Sequence, residues 1–257
     1  MGAAEIALAA SCGQSEVAVW PRPKVAIIAT GDELVRLQDT PANWQIRNSN
    51  SYGLAALVTA AGGLPGRLPI ARDLRAEVWE RIAQGRMWDL LLLSGGVSMG
   101  KYDLVEEVLA EFGAEFFFTG VAMQPGKPVV FGRLPRCEHG SGAGPECLFF
   151  GLPGNPVSTQ VTFHCFVEPL LRALAGGEIA GPRFVQATLS ENAAIKPGMT
   201  RVLPARLTSG VGASAVKLIG WQGSGDMAAN ARANCYAVLG PERTQYTAGD
   251  VITVLLR

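Results

Sequence analysis

Short apolar runs alternate with amphipathic segments from residue 24 to residue 175. The runs are typical of buried strands and lie at residues 24–30, 64–70, 90–93, 115–121, 129–131 and 147–152. Between them, apolar residues recur every three or four positions, which predicts helices at 52–61, at 74–84, from Asp103 onward, and at 156–175 with a kink at Pro169. This alternation predicts an α/β fold: a three-layer, mostly parallel sheet with helices on both faces.

The pattern changes after Gly176-Gly177. Short alternating strands follow, separated by turns, at residues 184–189, 202–207, 216–219, 235–239 and 251–255. They predict a second, all-β domain in the form of a small barrel. We therefore expect an α/β domain at residues 21–177 and a β-barrel domain at residues 178–257.

Residues 1–20 are too few to form a core of their own. An Ala-rich helix is predicted at 3–12 and a strand at 16–20, and the two prolines of residues 21–23 make a stiff connector. We interpret residues 1–20 as the remnant of a preceding domain.

The chain carries no excess charge, since 22 Lys and Arg residues balance 22 Asp and Glu residues. It lacks the basic excess of a nucleic-acid-binding protein, and it has neither an apolar run long enough for a membrane span nor the charged start of a secretory signal. Five scattered cysteines without a CxxC pair indicate reduced thiols in a cytoplasm. The only histidines are His139 and His164, so acid–base or metal chemistry must rest on carboxylates.

Four turns follow the carboxyl ends of predicted strands, where open α/β sheets bind ligands. They contain Thr30, Gly31 and Asp32; Asp73; Ser94, Gly95, Gly96, Val97 and Ser98; and Pro153, Gly154, Asn155 and Pro156. Glycines before a helix let an anion approach backbone amides, and Asn155 with Pro156 is a helix start. A single loop of this kind is a weak indicator of phosphate binding, because many α/β proteins contain one.

Three acids lie beside these turns: Glu33, Asp73 and Asp103. Oxygen ligands next to phosphate are what Mg²⁺ prefers, so the acids are candidate metal ligands. The alternative is that Asp32 and Asp103 cap helices and Glu33 is merely solvated. The joint placement of the acids at strand ends favours a binding site.

Four motifs occur in a fixed order: Ala29-Thr30-Gly31-Asp32-Glu33-Leu34, residues 94–100 (SGGVSMG) with Asp103, Gln124-Pro125-Gly126-Lys127-Pro128, and residues 151–158 (GLPGNPVS). Together they resemble the molybdopterin molybdotransferases of the MoeA/gephyrin family over nearly the whole chain. Residues 222–225 and 233–234 are similar to that family's small C-terminal barrel. The set is far more specific than any one Gly-rich loop.

The resemblance implies insertion of molybdate into adenylylated molybdopterin with release of AMP, aided by Mg²⁺. It implies that Glu33, Asp73 and Asp103 are catalytic, that Glu33 and Asp103 hold the metal, and that the other strand-end residues bind substrate. Molybdate would be bound by Lys127, Pro128, Ser158, Arg201 and Ser224, with Arg206 as a further candidate. It also implies a cytoplasmic homodimer that works with other molybdenum cofactor biosynthesis proteins, without nucleic acid or membrane.

The chain departs from the family pattern in two ways. Gln124 stands where the family often has lysine, which removes one expected anion contact. The two N-terminal domains of the family are not in this sequence, and in family members they help to complete the partner's site. Two alternatives therefore stay open: the related molybdopterin adenylyltransferase, whose stand-alone forms lack the β-rich tail, and a non-catalytic molybdopterin-binding or assembly module.

Overall fold

The computed structural model describes residues 1–96, 104–136, 146–210, 212 and 214–257. The helices are α1 (Ala3–Ser11), α2 (Asn50–Ala60), α3 (Arg75–Gly85), α4 (Leu104–Glu111), α5 (Pro156–Thr162), α6 (Glu168–Leu174) and α7 (Met227–Arg232), with a π-helical turn at Phe163–Val167 between α5 and α6. The strands of the first half are β1 (Lys24–Ala29), β2 (Leu34–Val35), β3 (Ile46–Arg47), β4 (Leu64–Arg67), β5 (Leu90–Ser94), β6 (Glu115–Phe118), β7 (Met123–Gln124), β8 (Val130–Pro135) and β9 (Glu146–Leu152). Those of the second half are β10 (Phe184–Leu189), β11 (Ala193–Ala194), β12 (Thr200–Thr208), β13 (Ala215–Leu218), β14 (Cys235–Leu239), β15 (Gln245–Tyr246) and β16 (Val251–Leu256).

The first sheet has six strands in the order β4-β1-β5-β9-β8-β6. The first four are parallel, and β8 and β6 complete one edge in antiparallel pairing. Successive side chains point to opposite faces, so Ile28 and Leu91 pack with α3 and α4, whereas Ile27 and Leu92 pack with α2 and the helix that runs from α5 to α6. The predicted three-layer α/β fold is confirmed.

The second half of the chain forms a closed barrel. Its strands follow the order β13-β10-β16-β14-β12, and pairing of β12 with β13 closes the ring. Ala187, Ala237 and Val254 lie in its buried core. The predicted small barrel is confirmed.

The strand β7 joins the two halves. It belongs to the first half by sequence but pairs in parallel with the start of β12, with Met123 opposite Thr200 and Gln124 opposite Arg201. A buried cluster seals the same junction; it consists of Met123, Val157, Val161, Val202, Tyr236 and Leu255. The barrel is therefore packed against α5, the helix that begins at the fourth predicted turn.

Several local predictions were wrong. Residues 16–20 are exposed and unpaired rather than a strand, and the strand predicted at 129–131 extends to Pro135 as β8. The strand predicted at 115–121 ends at Phe118. The helix predicted at 156–175 contains the π-helical turn just before Pro169, whose ring nitrogen has no hydrogen to donate to the helix backbone. The predicted helix start at Asp103 falls outside the described residues. Within the described ranges, every helix is too short or too polar to span a bilayer.

Candidate functional site

A cleft of about 370 Å³ opens where β1, β5 and β9 end, and we call it the inner cleft. All four predicted turns contribute to its lining, which includes Thr30, Gly31, Glu33, Asp73, Ser94, Gly95, Gly96, Gly154, Asn155 and Pro156. Parallel strands place their carboxyl ends at one edge of the sheet, which is why segments so distant in sequence meet here. Val97, Ser98 and Asp103, which were predicted for the same site, lie outside the described residues.

Two glycines let the backbone of β1 and the loop after β5 approach each other. A Cβ on Gly95 would lie 2.4 Å from the Thr30 carbonyl oxygen, and one on Gly96 would lie 2.6 Å from Thr30 Oγ1. Both glycines have positive φ, 93° and 67°, which other residues adopt only with strain. The Thr30 amide donates to the Ser94 carbonyl at 3.0 Å, and the Gly95 amide to the Leu152 carbonyl at 3.2 Å. The floor of the inner cleft is thus tightly packed backbone.

Asn50 connects two of these loops, although its sequence position gave it no predicted role in the site. Its side-chain nitrogen donates to Ser94 Oγ at 2.9 Å and to the Gly154 carbonyl at 2.7 Å. The run Asn48-Ser49-Asn50 at the end of a polar loop could have indicated this role, because asparagine side chains there can hydrogen-bond to a binding site as well as cap a helix. Asn50 is therefore a site residue that the sequence analysis missed.

Two of the three predicted acids reach the inner cleft. The Glu33 carboxylate folds over Gly31, where its Oε2 occupies space within 2.5 Å of the position a Cβ would take. Asp73 lines the cleft from the opposite segment, and its amide donates to Asp32 Oδ1 at 3.1 Å. Because residues 32–33 form a turn and no helix starts there, the alternative that Asp32 caps a helix was wrong.

The two carboxylates that line the inner cleft meet one requirement of a Mg²⁺ site. Mg²⁺ is commonly held by one or two carboxylates together with substrate phosphates, and Glu33 and Asp73 supply two. Among the described residues there is no group of three or more His, Cys, Asp or Glu residues that could hold a metal by itself.

Asp32 lines a larger neighbouring cleft of about 1040 Å³, which we call the outer cleft. It lies between the segment 34–48, the start of α2 and the end of β4, and Leu34 and Asn48 line both clefts. The two clefts therefore share a wall.

The start of α5 is fixed by the barrel and by its own loop. The Val157 amide donates to the Ser224 carbonyl at 3.0 Å, and the Thr159 hydroxyl donates to the carbonyl of buried Pro153 at 2.6 Å. Asn155 occupies the N-cap position as predicted, but its side chain makes no capping hydrogen bond, so it is available to the cleft.

The predicted molybdate residues are not among the residues that line the inner cleft, and Ser158 lies in α5 itself. Lys127 is exposed and Pro128 is half-buried, and both lie in a turn with Gly126. Gly126 packs against Thr162 of α5. Buried Ser158 lies one helical turn before Thr162. Arg201 is hydrogen-bonded to Gln124, which begins the same turn.

Arg206 lies apart from this group. It is five residues beyond Arg201 on β12, about 16 Å away along the strand. The structure therefore separates the two arginines that the sequence left as alternatives.

A buried polar network fastens α5 to the barrel. The Asn230 side chain donates to Gln160 Oε1 at 2.8 Å, Tyr236 donates to Asn230 Oδ1 at 2.9 Å, and Arg257 donates to Gln160 Oε1 at 3.2 Å. Burial raises the pKa of Tyr236 to about 12, so its hydroxyl stays a neutral donor. The barrel thereby holds the helix that carries Asn155 and Ser158.

His164 is buried at the same junction. Its Nδ1 lies 2.8 Å from Glu168 Oε2. This hydrogen bond lowers the pKa of Glu168 against the opposing effect of burial, and electrostatic attraction to His164, Arg183 and Arg172 acts in the same direction as the hydrogen bond. The pair lies in the helix body rather than at either cleft.

The two halves of the chain match two families. Residues 26–173 match a family described as a probable molybdopterin binding domain, and residues 186–256 match the MoeA C-terminal region (domain IV).

Several known proteins are similar. The molybdopterin molybdenumtransferase of Haemophilus influenzae is 33% identical over 252 residues, which cover 96% of this chain and 59% of that protein. One from a Nostoc species is 41% identical over 177 residues, 68% of this chain and 39% of that protein. A solved structure of a molybdopterin biosynthesis MoeA protein from Pyrococcus horikoshii superposes with a TM-score of 0.81 at 27% identity, over 100% of this chain and 60% of that one. The chain spans no more than 60% of the length of these relatives.

Proposed function

This chain belongs to the MoeA family of molybdopterin molybdenumtransferases, and from that premise we propose that it inserts molybdate into adenylylated molybdopterin and releases AMP. The observation that supports this best is the inner cleft, in which two carboxylates face two Gly-rich loops at the carboxyl ends of parallel strands. A pyrophosphate needs both features: backbone donors for its oxygens and acids that hold a cation beside it.

The residues of the inner cleft would bind the substrate through its pyrophosphate. Thr30, Ser94 and Asn155 offer polar groups, and the loops at Gly95 and Gly154 let phosphate oxygens approach the backbone. Asn50 would keep the two loops at a fixed separation through its two hydrogen bonds. Water would attack the AMP phosphorus, so that the bond from this phosphorus to the bridging oxygen breaks. The water oxygen leaves with AMP, and the bridging oxygen stays on the phosphate of molybdopterin.

Glu33 and Asp73 would hold Mg²⁺, with Asp103 as a further ligand that remains a prediction. When bound, Mg²⁺ would offset the negative charge of the pyrophosphate. Both carboxylates lie on turns whose backbones are hydrogen-bonded to neighbouring segments, which fixes their separation.

Lys127, Pro128, Ser158, Arg201 and Ser224 would bind molybdate before its transfer to the dithiolene sulfurs. A lysine, an arginine and hydroxyl groups are suited to an oxyanion. Ser158 lies in α5, and the Ser224 carbonyl accepts from the start of that helix. The turn of Lys127 packs against α5 through Gly126, and Arg201 is joined to this turn through Gln124, which supports one anion site at the junction of the two halves.

We also propose the domain bounds, cellular location, oligomeric state and partners that the sequence predicts. These are an α/β domain at 21–177, a barrel domain at 178–257, a cytoplasmic location, a homodimer, and work alongside other molybdenum cofactor biosynthesis proteins. Light scattering of the purified chain tests the homodimer.

The decisive experiment measures AMP release from adenylylated molybdopterin with Mg²⁺, with and without molybdate. We expect molybdate-dependent release that falls by at least about tenfold in Glu33→Gln, since loss of even an outer-shell group costs a metal site that much. Glu178→Gln is the matched control, because Glu178 is exposed and lies outside both clefts.

Three other outcomes would contradict the proposal. Substrate that stays bound without AMP release would favour an assembly module. ATP-dependent formation of adenylylated molybdopterin would favour the adenylyltransferase, which the match of residues 186–256 argues against. Equal loss of release in both glutamate variants would remove Glu33 from the site.

A further inference from the structure

The anion site proposed above is divided between the two halves of the chain, whereas the inner cleft is not. Lys127 and Ser158 belong to the first half, and Arg201 and Ser224 belong to the barrel half. Every residue that lines the inner cleft lies within residues 29–156. A shift of the barrel against α5 would therefore move parts of the anion site away from one another and leave the inner cleft complete.

Apolar contacts at the junction of the two halves exclude water without selecting one register. Val157 and Val161 of α5 pack there against apolar residues of the barrel. Apolar cores keep most of their stability through many repackings and lose a unique arrangement first, whereas satisfied buried polar groups specify one arrangement. The pairing of β7 with β12 fixes Gln124 against Arg201, but it does not include α5. The register of α5 therefore needs a polar constraint of its own.

Gln160 is the residue of α5 at which polar contacts from the barrel meet. Its Oε1 accepts from the Asn230 side chain at 2.8 Å and from Arg257 at 3.2 Å. Both donors are held in turn. Tyr236 donates to Asn230 Oδ1 at 2.9 Å, and Arg257 donates to the Asn230 and Ala233 carbonyls at 2.8 and 2.9 Å. One oxygen of Gln160 is thus joined to α7 and to β14.

The same face of α5 contacts the barrel at a second level. The Val157 amide donates to the Ser224 carbonyl at 3.0 Å, and Gln160 follows three residues later, on the same side of the helix. Asp226 connects the two levels, because it begins α7 just after Ser224 and accepts from the Ala229 amide at 2.9 Å. Two contacts one helical turn apart restrict both the rotation and the sliding of α5 against the barrel.

We propose that Gln160 is a positioning residue that sets the register of α5 against the barrel and so brings Ser158 into one oxyanion site with Arg201 and Ser224. This inference rests on the proposed function, since it takes the members of the anion site from there. Oε1 carries the role, because both hydrogen bonds from the barrel end on this atom. Gln160 acts through the backbone of α5, in which Ser158 lies two residues earlier, and not by contact with molybdate.

Two substitutions separate the acceptor of Gln160 from its size. Gln160→Met has a side chain of similar length without an oxygen, so the Asn230 and Arg257 donors lose their acceptor. Gln160→Glu keeps an oxygen for both donors, and its charge favours the bond from Arg257. Val216→Ala controls for lost stability, because Val216 is fully buried in the barrel core and lies outside the junction cluster.

Calorimetry on the full chain measures binding of molybdate, and of inorganic pyrophosphate with Mg²⁺. Gln160→Met should weaken molybdate binding by about tenfold or more, since a misplacement of about 1 Å can cost about a hundredfold. Pyrophosphate binding should stay as in the parent chain, because the inner cleft belongs to the first half alone. Gln160→Glu should restore molybdate binding, and Val216→Ala should change neither affinity. In the AMP-release assay, Gln160→Met should raise the KM for molybdate and keep kcat.

Trp221 provides a spectroscopic readout at the junction. It is partly buried and packs against the junction cluster. In protein labelled with 5-fluorotryptophan, Gln160→Met should shift the fluorine resonance that Trp221→Phe identifies as Trp221, and Gln160→Glu should return it to its parent position. The resonance of Trp79 should not move, because Trp79 lies on α3 at the opposite face of the first sheet.

The outcomes separate this inference from the proposed function. Molybdate binding that is unchanged in Gln160→Met, or that Gln160→Glu fails to restore, overturns the positioning role even if molybdate-dependent AMP release is found. Equal weakening of molybdate and pyrophosphate binding, or a similar effect of Val216→Ala, also overturns it, because the loss would then be one of general stability. Molybdate binding that depends on Gln160 without AMP release supports the positioning role and contradicts the transferase.

Discussion

Substitution of Gly95 by alanine separates backbone strain from steric overlap at the floor of the inner cleft. Gly95 has φ of 93°, and a Cβ there would lie 2.4 Å from the Thr30 carbonyl oxygen. That oxygen belongs to backbone, so no rotamer change can relieve the overlap. Positive φ costs alanine about 1–2 kcal/mol, and overpacking adds about 1–3 kcal/mol, so we expect Gly95→Ala to lose about 2–5 kcal/mol of unfolding free energy.

Gly62 supplies a closely matched control. Its φ is 91°, and a Cβ there would meet nothing within 4 Å. Gly62→Ala should therefore lose only the strain, about 1–2 kcal/mol. Urea unfolding followed by circular dichroism measures both variants, and calorimetry with pyrophosphate reports whether the loop after β5 has shifted.

The comparison has a clear refuting result. Equal losses of unfolding free energy in the two variants would mean that Thr30 and the loop move apart without cost. The backbone at the floor of the inner cleft would then not be tightly packed. A larger loss in Gly95→Ala than in Gly62→Ala, accompanied by weaker pyrophosphate binding in Gly95→Ala alone, would connect the close approach to ligand binding.

Three further predictions concern polar contacts. Asn50→Ala should weaken pyrophosphate binding in calorimetry and cost about 1–2 kcal/mol in urea unfolding, because it removes two hydrogen bonds between the Gly-rich loops; unchanged binding would exclude the bridging role. Tyr236→Phe leaves buried Asn230 Oδ1 without its donor, so unfolding should cost about 1–3 kcal/mol, whereas a loss below that range would mean that water replaces the hydroxyl. The hydrogen bond with His164 lowers the pKa of Glu168 in the folded state. The contribution of this carboxylate to the free energy of unfolding is therefore complete above pH 4.5, the ordinary pKa, and is lost as the pH falls through the lower pKa of the folded state. Glu168→Gln should flatten the fall of stability in that acidic range, and a fall as steep as in the parent chain would assign the acid sensitivity to other groups.

The sequence was sufficient for the elements whose burial is decided locally. Four consecutive apolar residues at 90–93 can only be satisfied by a strand that is covered on both faces, and the structure has β5 at the centre of the sheet. The strand-end turns were found for the same reason, since their position follows from the order of parallel strands.

Elements that depend on distant partners were not predictable in the same way. The run at 16–20 alternates as a strand should, yet it is exposed and forms no strand. No strand was predicted at Gln124, but pairing with Arg201 places it in β7. The contribution of Asn50 depends on Ser94 and Gly154, which are 44 and 104 residues away in the chain.

The pairing of β7 with β12 limits how this protein can be divided into independently folding fragments. A fragment cut at residue 183 would keep all five barrel strands but leave the start of β12 with an open edge, and Val202, Tyr236 and Leu255 would face water. Such a fragment should self-associate during purification. The barrel is therefore not separable as one continuous stretch of sequence, because β7 and α5, which cover its open edge and its apolar face, both precede residue 183 in the chain.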